Sequence, residues 1–313
     1  MSRHLIVRPH ATALVLAVAL VPAGVHAQDT KGAGLEYRAS LDAPLTLAGV
    51  AGTLGPRLLT DETKAWSCKW CDRDGHGRDT LNGLDAAARR HWRWSDREKA
   101  HSWSNVTLGL SLVAPTAAFA AGREGFGDGF GGEMLIVLEA AALNMAVTQG
   151  TKYLFRRERP WAHFDDPPLE GQHKGSRESV VSFVSGHSSL AFALAVSTGS
   201  LASLRADPGR EWVWATGLTC AAATAYLRVA ADKHYLTDVL AGAVIGTAVG
   251  WAVPRLFDRR PEDIAEAVAV RPPPPVAVFS VVLAAGSGPR PGGVLVTGGL
   301  QGGGPFVSAT WGF

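Results

Sequence analysis

Long apolar stretches run along most of the chain, broken by short polar or glycine- and proline-marked interruptions. Residues 41–59 are mostly apolar, with Pro44 near their start, where a helix tolerates proline. Over 81–100, Leu81, Leu84, Ala88, Trp92 and Ser95 fall at helical spacing while Arg89, Arg90, Arg93 and Arg97 point elsewhere. That spacing predicts one amphipathic helix. Trp92, Trp94 and Trp103 cluster just before an apolar helix over 103–121. After a glycine-rich turn at 122–132, a helical pattern over 133–155 leads into a basic stretch that ends at Pro160. A helix of small residues follows over 187–204, then the turn Asp207-Pro208-Gly209 and an apolar helix over 211–227. The most hydrophobic run is 237–257. In it Gly242, Gly246 and Gly250 recur every fourth residue and leave one face as bare backbone, open to close helix–helix approach.

This pattern predicts an all-α helical bundle. A bilayer span needs about 20 apolar residues. Residues 239–256 nearly meet that and 212–227 come close, and tryptophans at the segment ends suit an interfacial belt. Glu133, Glu139, Asn144 and Gln149 lie within one helix and would have to face the bundle interior. A membrane-embedded bundle is therefore the expectation, with a soluble periplasmic helical domain as its competitor. The last part of the chain changes character. Residues 259–266 are charged and Pro272 to Pro275 form a stiff linker. Residues 276–285, 293–298 and 306–313 read as short strands, a small β-like tail too short to close a membrane barrel.

The start of the chain reads as an export signal. Arg3 and Arg8 precede an apolar run at 11–21, and Val25-His26-Ala27 is an A-x-A-like cleavage site. An uncleaved anchor is the alternative. The expected organisation is a signal peptide at 1–27, a cysteine-containing helical segment at 28–99, a helical core at 100–262, and a linker with the β-like tail at 263–313.

Composition narrows the partners. With 47% hydrophobic and 19% charged residues and a net charge of +2, the chain has no basic run suited to nucleic acid. Of its three cysteines, Cys68 and Cys71 form a C-x-x-C pair within a polar loop over 60–78. In an exported protein a local disulfide fits; free thiols are the alternative. Zinc would need two further ligands, with only His76 close by, and no βαβ pattern supports a thioredoxin role. The run Asp72-Arg73-Asp74-Gly75-His76-Gly77 matches part of a calcium loop but fails its fifth and twelfth positions, so an Asp/Gly turn is the plainer reading.

Three polar clusters carry the chemistry. In the first, Lys152 and Arg159 are seven residues apart. On one helix ending at Pro160 they would share a face, a point charge and a planar fork for one anion. A solvated basic helix end is the bland alternative. In the second, Ser185-Gly186-His187 opens a helix, so the serine and the following amides sit where anions bind. An ordinary helix cap reads the same. In the third, Arg228 lies six residues before His234, and Asp238 four after it. A bend would aim Arg228 and His234 at one centre. His234 and Asp238 on one helical turn could hydrogen-bond and free one imidazole nitrogen to attack.

The order and spacing of these clusters resemble the type-2 phosphatidic acid phosphatase/vanadium haloperoxidase superfamily, over roughly residues 100–257. Its pattern is K-x6-R-P, then P-S-G-H, then S-R-x5-H-x3-D; Val184 and Leu227 replace the proline and the serine here. The resemblance implies a helical bundle and a phosphatase needing no metal or other cofactor. His234 is then the nucleophile that forms a phosphohistidine, Asp238 orients it, and His187 protonates the leaving alcohol. Lys152, Arg159, Arg228, Ser185 and the Gly186 amide cradle the phosphoryl oxygens. The implied substrate is a phosphate monoester or pyrophosphate, of a lipid or another organic phosphate, at the periplasmic face of an inner membrane. A vanadate-dependent haloperoxidase uses the same residues, and a non-catalytic membrane scaffold is the reading from another class. The loop over 161–184, with Asp165 and Asp166, would hang over the mouth of such a site.

Overall fold

The computed structural model describes residues 66–122, 129–169, 173, 175–257, part of 46–51, and the backbone of three C-terminal strands. The export signal expected at 1–27, the residues over 258–278 and most of the apolar stretch at 41–59 lie outside the described residues; the described part of that stretch is helical. Seven α-helices follow in the described chain: α1 (Gly83–Trp92), α2 (Arg97–Gly122), α3 (Phe130–Phe155), the short α4 (Pro160–His163), α5 (Gly186–Leu204), α6 (Arg210–Ala230) and α7 (Leu236–Phe257).

The single amphipathic helix expected over 81–100 is instead two elements. Asn82 caps α1 by accepting from the Asp85 amide at 2.9 Å, and the chain turns extended at Arg93. Asp96 then starts α2, its side chain accepting from the Lys99 amide at 2.9 Å. A capping carboxylate outweighed the apolar periodicity that ran across it.

Helix α5 is the centre of the bundle, packed against α2, α3, α6 and α7. Its small residues are buried on nearly every side, as a central helix requires. The glycine stripe of α7 lies on it. A methyl on Gly242 would come 2.7 Å from the Ser185 carbonyl oxygen and one on Gly250 2.6 Å from that of Ala193, while one on Gly246 would collide with the Ser189 carbonyl. Ser188 adds a hydrogen bond, its hydroxyl donating to the Val239 carbonyl at 2.7 Å. These contacts set the height of α7 against α5, and so align the first turns of both helices.

Helices α2, α3 and α7 are long and apolar enough to cross a membrane. At about 1.5 Å per residue, their 26, 26 and 22 residues span the roughly 30 Å hydrocarbon core. Trp103, Val106, Leu110 and Val113 on α2, and Val244 and Trp251 on α7, are exposed on the outside of the bundle. Such a surface suits lipid. Polar residues of α3 turn inward: Glu133 accepts from Arg205 Nε at 2.6 Å, and Asn144 accepts from the Ser189 hydroxyl at 2.6 Å. The fold is a membrane-type helical bundle.

The tail forms an antiparallel meander of β1 (Phe279–Ala285), β2 (Gly292–Gln301) and β3 (Gly304–Gly312), in that order. β2 runs past the expected end at Gly298 because it is the central strand. Its glycine-rich end stays paired with β3 through Gly299 and Phe306 and through Leu300 and Pro305.

Candidate active site

The first turns of α2, α5 and α7 and the last turns of α3 and α6 meet at one end of the bundle. The three polar clusters converge there, together with residues from outside them.

Helix α3 stops at Phe155, not at Pro160. Arg156 takes a left-handed conformation (φ 44°) and its amide closes on the Lys152 carbonyl at 3.0 Å. Pro160 then opens α4, where its missing N–H costs nothing. Lys152 and Arg159 therefore do not share a helical face; a reversal of the chain brings both to the site. The Lys152 ammonium lies beside Gly186, 3.6 Å from where a methyl there would sit.

Arg159 is 3% exposed and held from two sides. Its Nε and Nη2 donate to the carbonyl oxygen and carboxylate of Glu178 at 2.6 and 3.0 Å, and Nη1 donates to the Lys233 carbonyl at 2.9 Å. Arg159 in turn holds the Glu178 carboxyl below its usual range. Glu178 stands on a 3-10 turn, Arg177–Val180, so part of the 161–184 loop reaches the site. The acidic pair of that loop does not hang free over the mouth. Asp166 is bound to Arg89 and to Arg93, which tie it down to α1.

Ser185 is the N-cap of α5, fully buried, and its amide donates to the Asp238 carbonyl at 3.1 Å. The cap and anion-site readings thus apply to one residue. Arg228 comes from the last turn of α6, and a tight turn over 231–234 separates it from α7. Arg228 Nη1 donates to His101 Nδ1 at 2.9 Å and to the Ser104 hydroxyl at 3.1 Å. Its Nε is buried without a hydrogen-bond partner among the described residues. An orphaned guanidinium N–H in such a place suits an anionic ligand.

His234 precedes α7 and is 2% exposed. Its Nδ1 lies 2.7 Å from the Ser182 carbonyl, and its Nε2 lies 3.3 Å from Arg159 Nη1. A carbonyl only accepts and a guanidinium only donates. The proton therefore sits on Nδ1, and the Nε2 lone pair faces Arg159. Burial, with the charges of Arg159, Arg228 and Lys152, pushes the His234 pKa well below its ordinary value, so the ring is neutral. Burial and the charges of Arg159 and Arg228 also push neighbouring Lys233 down to about 7.

Asp238 does not hydrogen-bond His234; the separation is 3.8 Å. Because His234 lies outside the helix, the four-residue spacing does not stack the two side chains. Asp238 accepts instead from Arg157 Nη1 at 2.8 Å, the Ser182 hydroxyl at 2.6 Å and the Tyr235 amide at 2.9 Å. Ser182 links the two residues: its hydroxyl donates to Asp238 and its carbonyl receives the imidazole N–H.

Arg157 is the hub behind this arrangement. It is fully buried, bonded to Asp72, Asp85 and Asp238 at 2.8–2.9 Å, and sandwiched between Trp70 (4.3 Å) and Tyr235 (4.1 Å). Three carboxylates and two ring faces offset the cost of burying the guanidinium. Trp70 lies within the segment closed by a disulfide between Cys68 and Cys71, and Asp72 follows it directly; the bridge is the one the local spacing suggested. That loop is pinned to the chain after α3, with the Lys69 amide on the Arg156 carbonyl and the Glu158 amide on the Trp70 carbonyl. Asp72 and Asp74, the acids of the partial calcium match, serve Arg157 and a turn at 74–78. Among the described residues no cluster of three or more His, Cys, Asp or Glu is arranged to hold a metal ion.

The sequence reading missed Arg157, Ser182, Glu178, Lys233, His101, Ser104 and Asn105. Arg157 carried a signal, a third arginine beside Arg159, which the solvated-end reading absorbed. Asn105 carried none. It lies 82 residues before His187, yet its Oδ1 is 2.9 Å from His187 Nε2.

The family model of the PAP2 superfamily matches residues 133–262. A lipid A 1-phosphatase from Porphyromonas gingivalis is 30% identical over 150 residues, 47% of this chain. The chain spans 28% of that relative's length. Among solved structures, a transmembrane PAP2-type phosphatidylglycerolphosphate phosphatase from Bacillus subtilis aligns with a TM-score of 0.39 at 18% identity, over 69% of this chain and 95% of that one.

Proposed function

From the match of residues 133–262 to the PAP2 superfamily model, we propose that this chain is a membrane-embedded lipid phosphate phosphatase working through a phosphohistidine. The observation that carries the reading is the neutral His234, its Nε2 lone pair aimed at Arg159 and its other nitrogen tied to Ser182. Lys152, Arg159 and Arg228, with Ser185 and the Gly186 amide, receive the phosphoryl oxygens. The buried, unpartnered Nε of Arg228 supports this role. His234 Nε2 attacks phosphorus, the bond to the leaving oxygen breaks, and His187 gives that oxygen a proton. His187 then takes a proton from water, whose oxygen attacks phosphorus and breaks the P–N bond, releasing phosphate. Asp238 orients His234 indirectly, through Ser182. Stabilising charge on the transferring group is the main catalytic task in such chemistry. Three cations at one centre supply it, which supports hydrolysis without a metal. A phosphate monoester or pyrophosphate on a lipid fits a site at the mouth of a membrane bundle. The signal-like pattern of Arg3 and Arg8 ahead of an apolar run at 11–21 supports a periplasm-facing orientation at the inner membrane.

The test uses purified protein in detergent with chelator, offered phosphatidate, an isoprenoid pyrophosphate and p-nitrophenyl phosphate. Phosphate release is expected to survive chelation and to fall by about a thousandfold or more in His234→Ala. Unchanged release in that variant would sink the mechanism, and halide oxidation appearing only with vanadate and peroxide would replace it.

A further inference from the structure

Helix α2 lies ahead of the family match, yet its first two turns form a wall of the site. His101, Ser104 and Asn105 fall at i, i+3 and i+4, so they share one face. His101 and Ser104 receive Arg228, while Asn105 reaches His187. We propose that Asn105 is a positioning residue for proton transfer to the leaving group, which rests on the reading of His187 as general acid.

Asn105 Oδ1 lies 2.9 Å from His187 Nε2 and accepts its N–H. This bond keeps one proton on Nε2 throughout the cycle and leaves Nδ1 as the nitrogen that gives and takes. Burial and the charges of Arg228, Lys152 and Arg159 hold His187 well below its ordinary range, so the Nδ1 proton is one that the bound phosphate monoester brings. As the P–O bond breaks, that proton passes to the leaving oxygen, and the ring is left neutral with Nε2–H still on Asn105. In the second step Nδ1 takes a proton from the attacking water, with Nε2–H still held by the amide oxygen, and that proton leaves with the released phosphate. His187 stands on the first turn of α5, only partly buried, and needs its ring turned toward the reaction. Asn105 does so from across the site. Being exposed, it can be replaced without opening the core.

The experiment measures kcat and KM of the full-length protein on a series of substituted phenyl phosphates. The leaving phenol grows more basic along the series, from p-nitrophenyl phosphate to unsubstituted phenyl phosphate. Wild type, His187→Ala, Asn105→Ala and Asn105→Asp are compared. Losing general acid catalysis costs about 10²–10⁴-fold. In Asn105→Ala the expected loss is therefore in kcat, on the order of tenfold for the most basic leaving group and smaller toward p-nitrophenyl phosphate, with KM little changed. Asn105→Asp keeps an acceptor oxygen and restores the shallow dependence. An equal loss across the series in Asn105→Ala, or none, beside a steepened His187→Ala series would overturn the positioning role alone. A His187→Ala series as shallow as wild type would overturn the general-acid reading and the positioning role with it.

Discussion

His234 and His187 sit at one end of the same bundle and are held in different ways. His234 is buried and fixed by a main-chain carbonyl, Ser182, which Asp238 and Arg157 hold from behind. Behind Arg157 stand Asp72, Asp85, Trp70 and Tyr235. His187 is partly exposed and meets a single side-chain amide from α2. In the proposed mechanism His234 is the nucleophile, which must present one lone pair along one line, and a rigid, redundant support suits that. His187, proposed to give a proton in one step and take one in the next, is suited by a lighter hold. The contrast also follows the chain: His234 is braced by residues 70–85, 157 and 182, whereas the His187 ring, among the described residues, is bonded by Asn105 of α2.

The strongest way to break this comparison is Arg157→Ala. It leaves Asp85 and Asp238 buried without their cation, which costs about 3–5 kcal/mol. A large drop in the thermal midpoint in detergent and loss of turnover are expected, with Arg157→Lys intermediate because it keeps the charge and loses the fork. A wild-type midpoint in Arg157→Ala would mean that the support behind His234 is not what holds it.

The protonation of His234 gives a second, smaller effect. Its folded pKa lies well below 6.5, so the neutral nucleophile persists as pH falls through the ordinary histidine range. The acid limb of kcat/KM should therefore lie below 6.5, and a limb at 6.5 would count against a buried nucleophile. Stability runs the other way. Between 6.5 and the folded pKa the unfolded chain binds a proton that the fold refuses. The stability this group contributes is present above 6.5 and falls on acidification by about 1.4 kcal/mol per pH unit. Denaturant titrations at pH 7 and pH 5 in wild type and in His234→Gln measure it, since the other titrating groups cancel in the difference.

The smallest effect tests the outer edge of the support. The Cys68–Cys71 bridge closes a loop of only a few residues, so Cys68→Ser with Cys71→Ser should cost at most about 2 kcal/mol. Phosphate release should be nearly retained, because Trp70 and Asp72 keep their contacts with Arg157. A loss of activity matching that of Arg157→Ala would move the anchor of the nucleophile out to the disulfide loop.

Much of the bundle was legible in the sequence because its signals are local. Periodicity placed α3, α5, α6 and α7 within a few residues, and the glycine stripe of α7 announced the close contact that α5 supplies. Local rules failed where two of them competed. At Asp96 a helix cap interrupted a continuing apolar pattern, and at Arg156 a left-handed residue ended a helix that composition would have carried on to Pro160. His234 and Asp238 are four apart, but only the position of the helix start decides whether they touch, and it sets them 3.8 Å apart.

The sequence by itself determined the helical pattern, the β-like tail, the order of the three clusters, and thereby the chemistry they can perform. Each depends on spacing within a few turns of chain. Tertiary structure alone decided that Asp238 serves Ser182 and Arg157, that Arg157 is a buried hub, and that α2 lends Asn105 to His187. Such contacts join residues some fifty to eighty positions apart. They depend on where helices cross and at what height they lie, which packing between faces sets and local spacing does not encode.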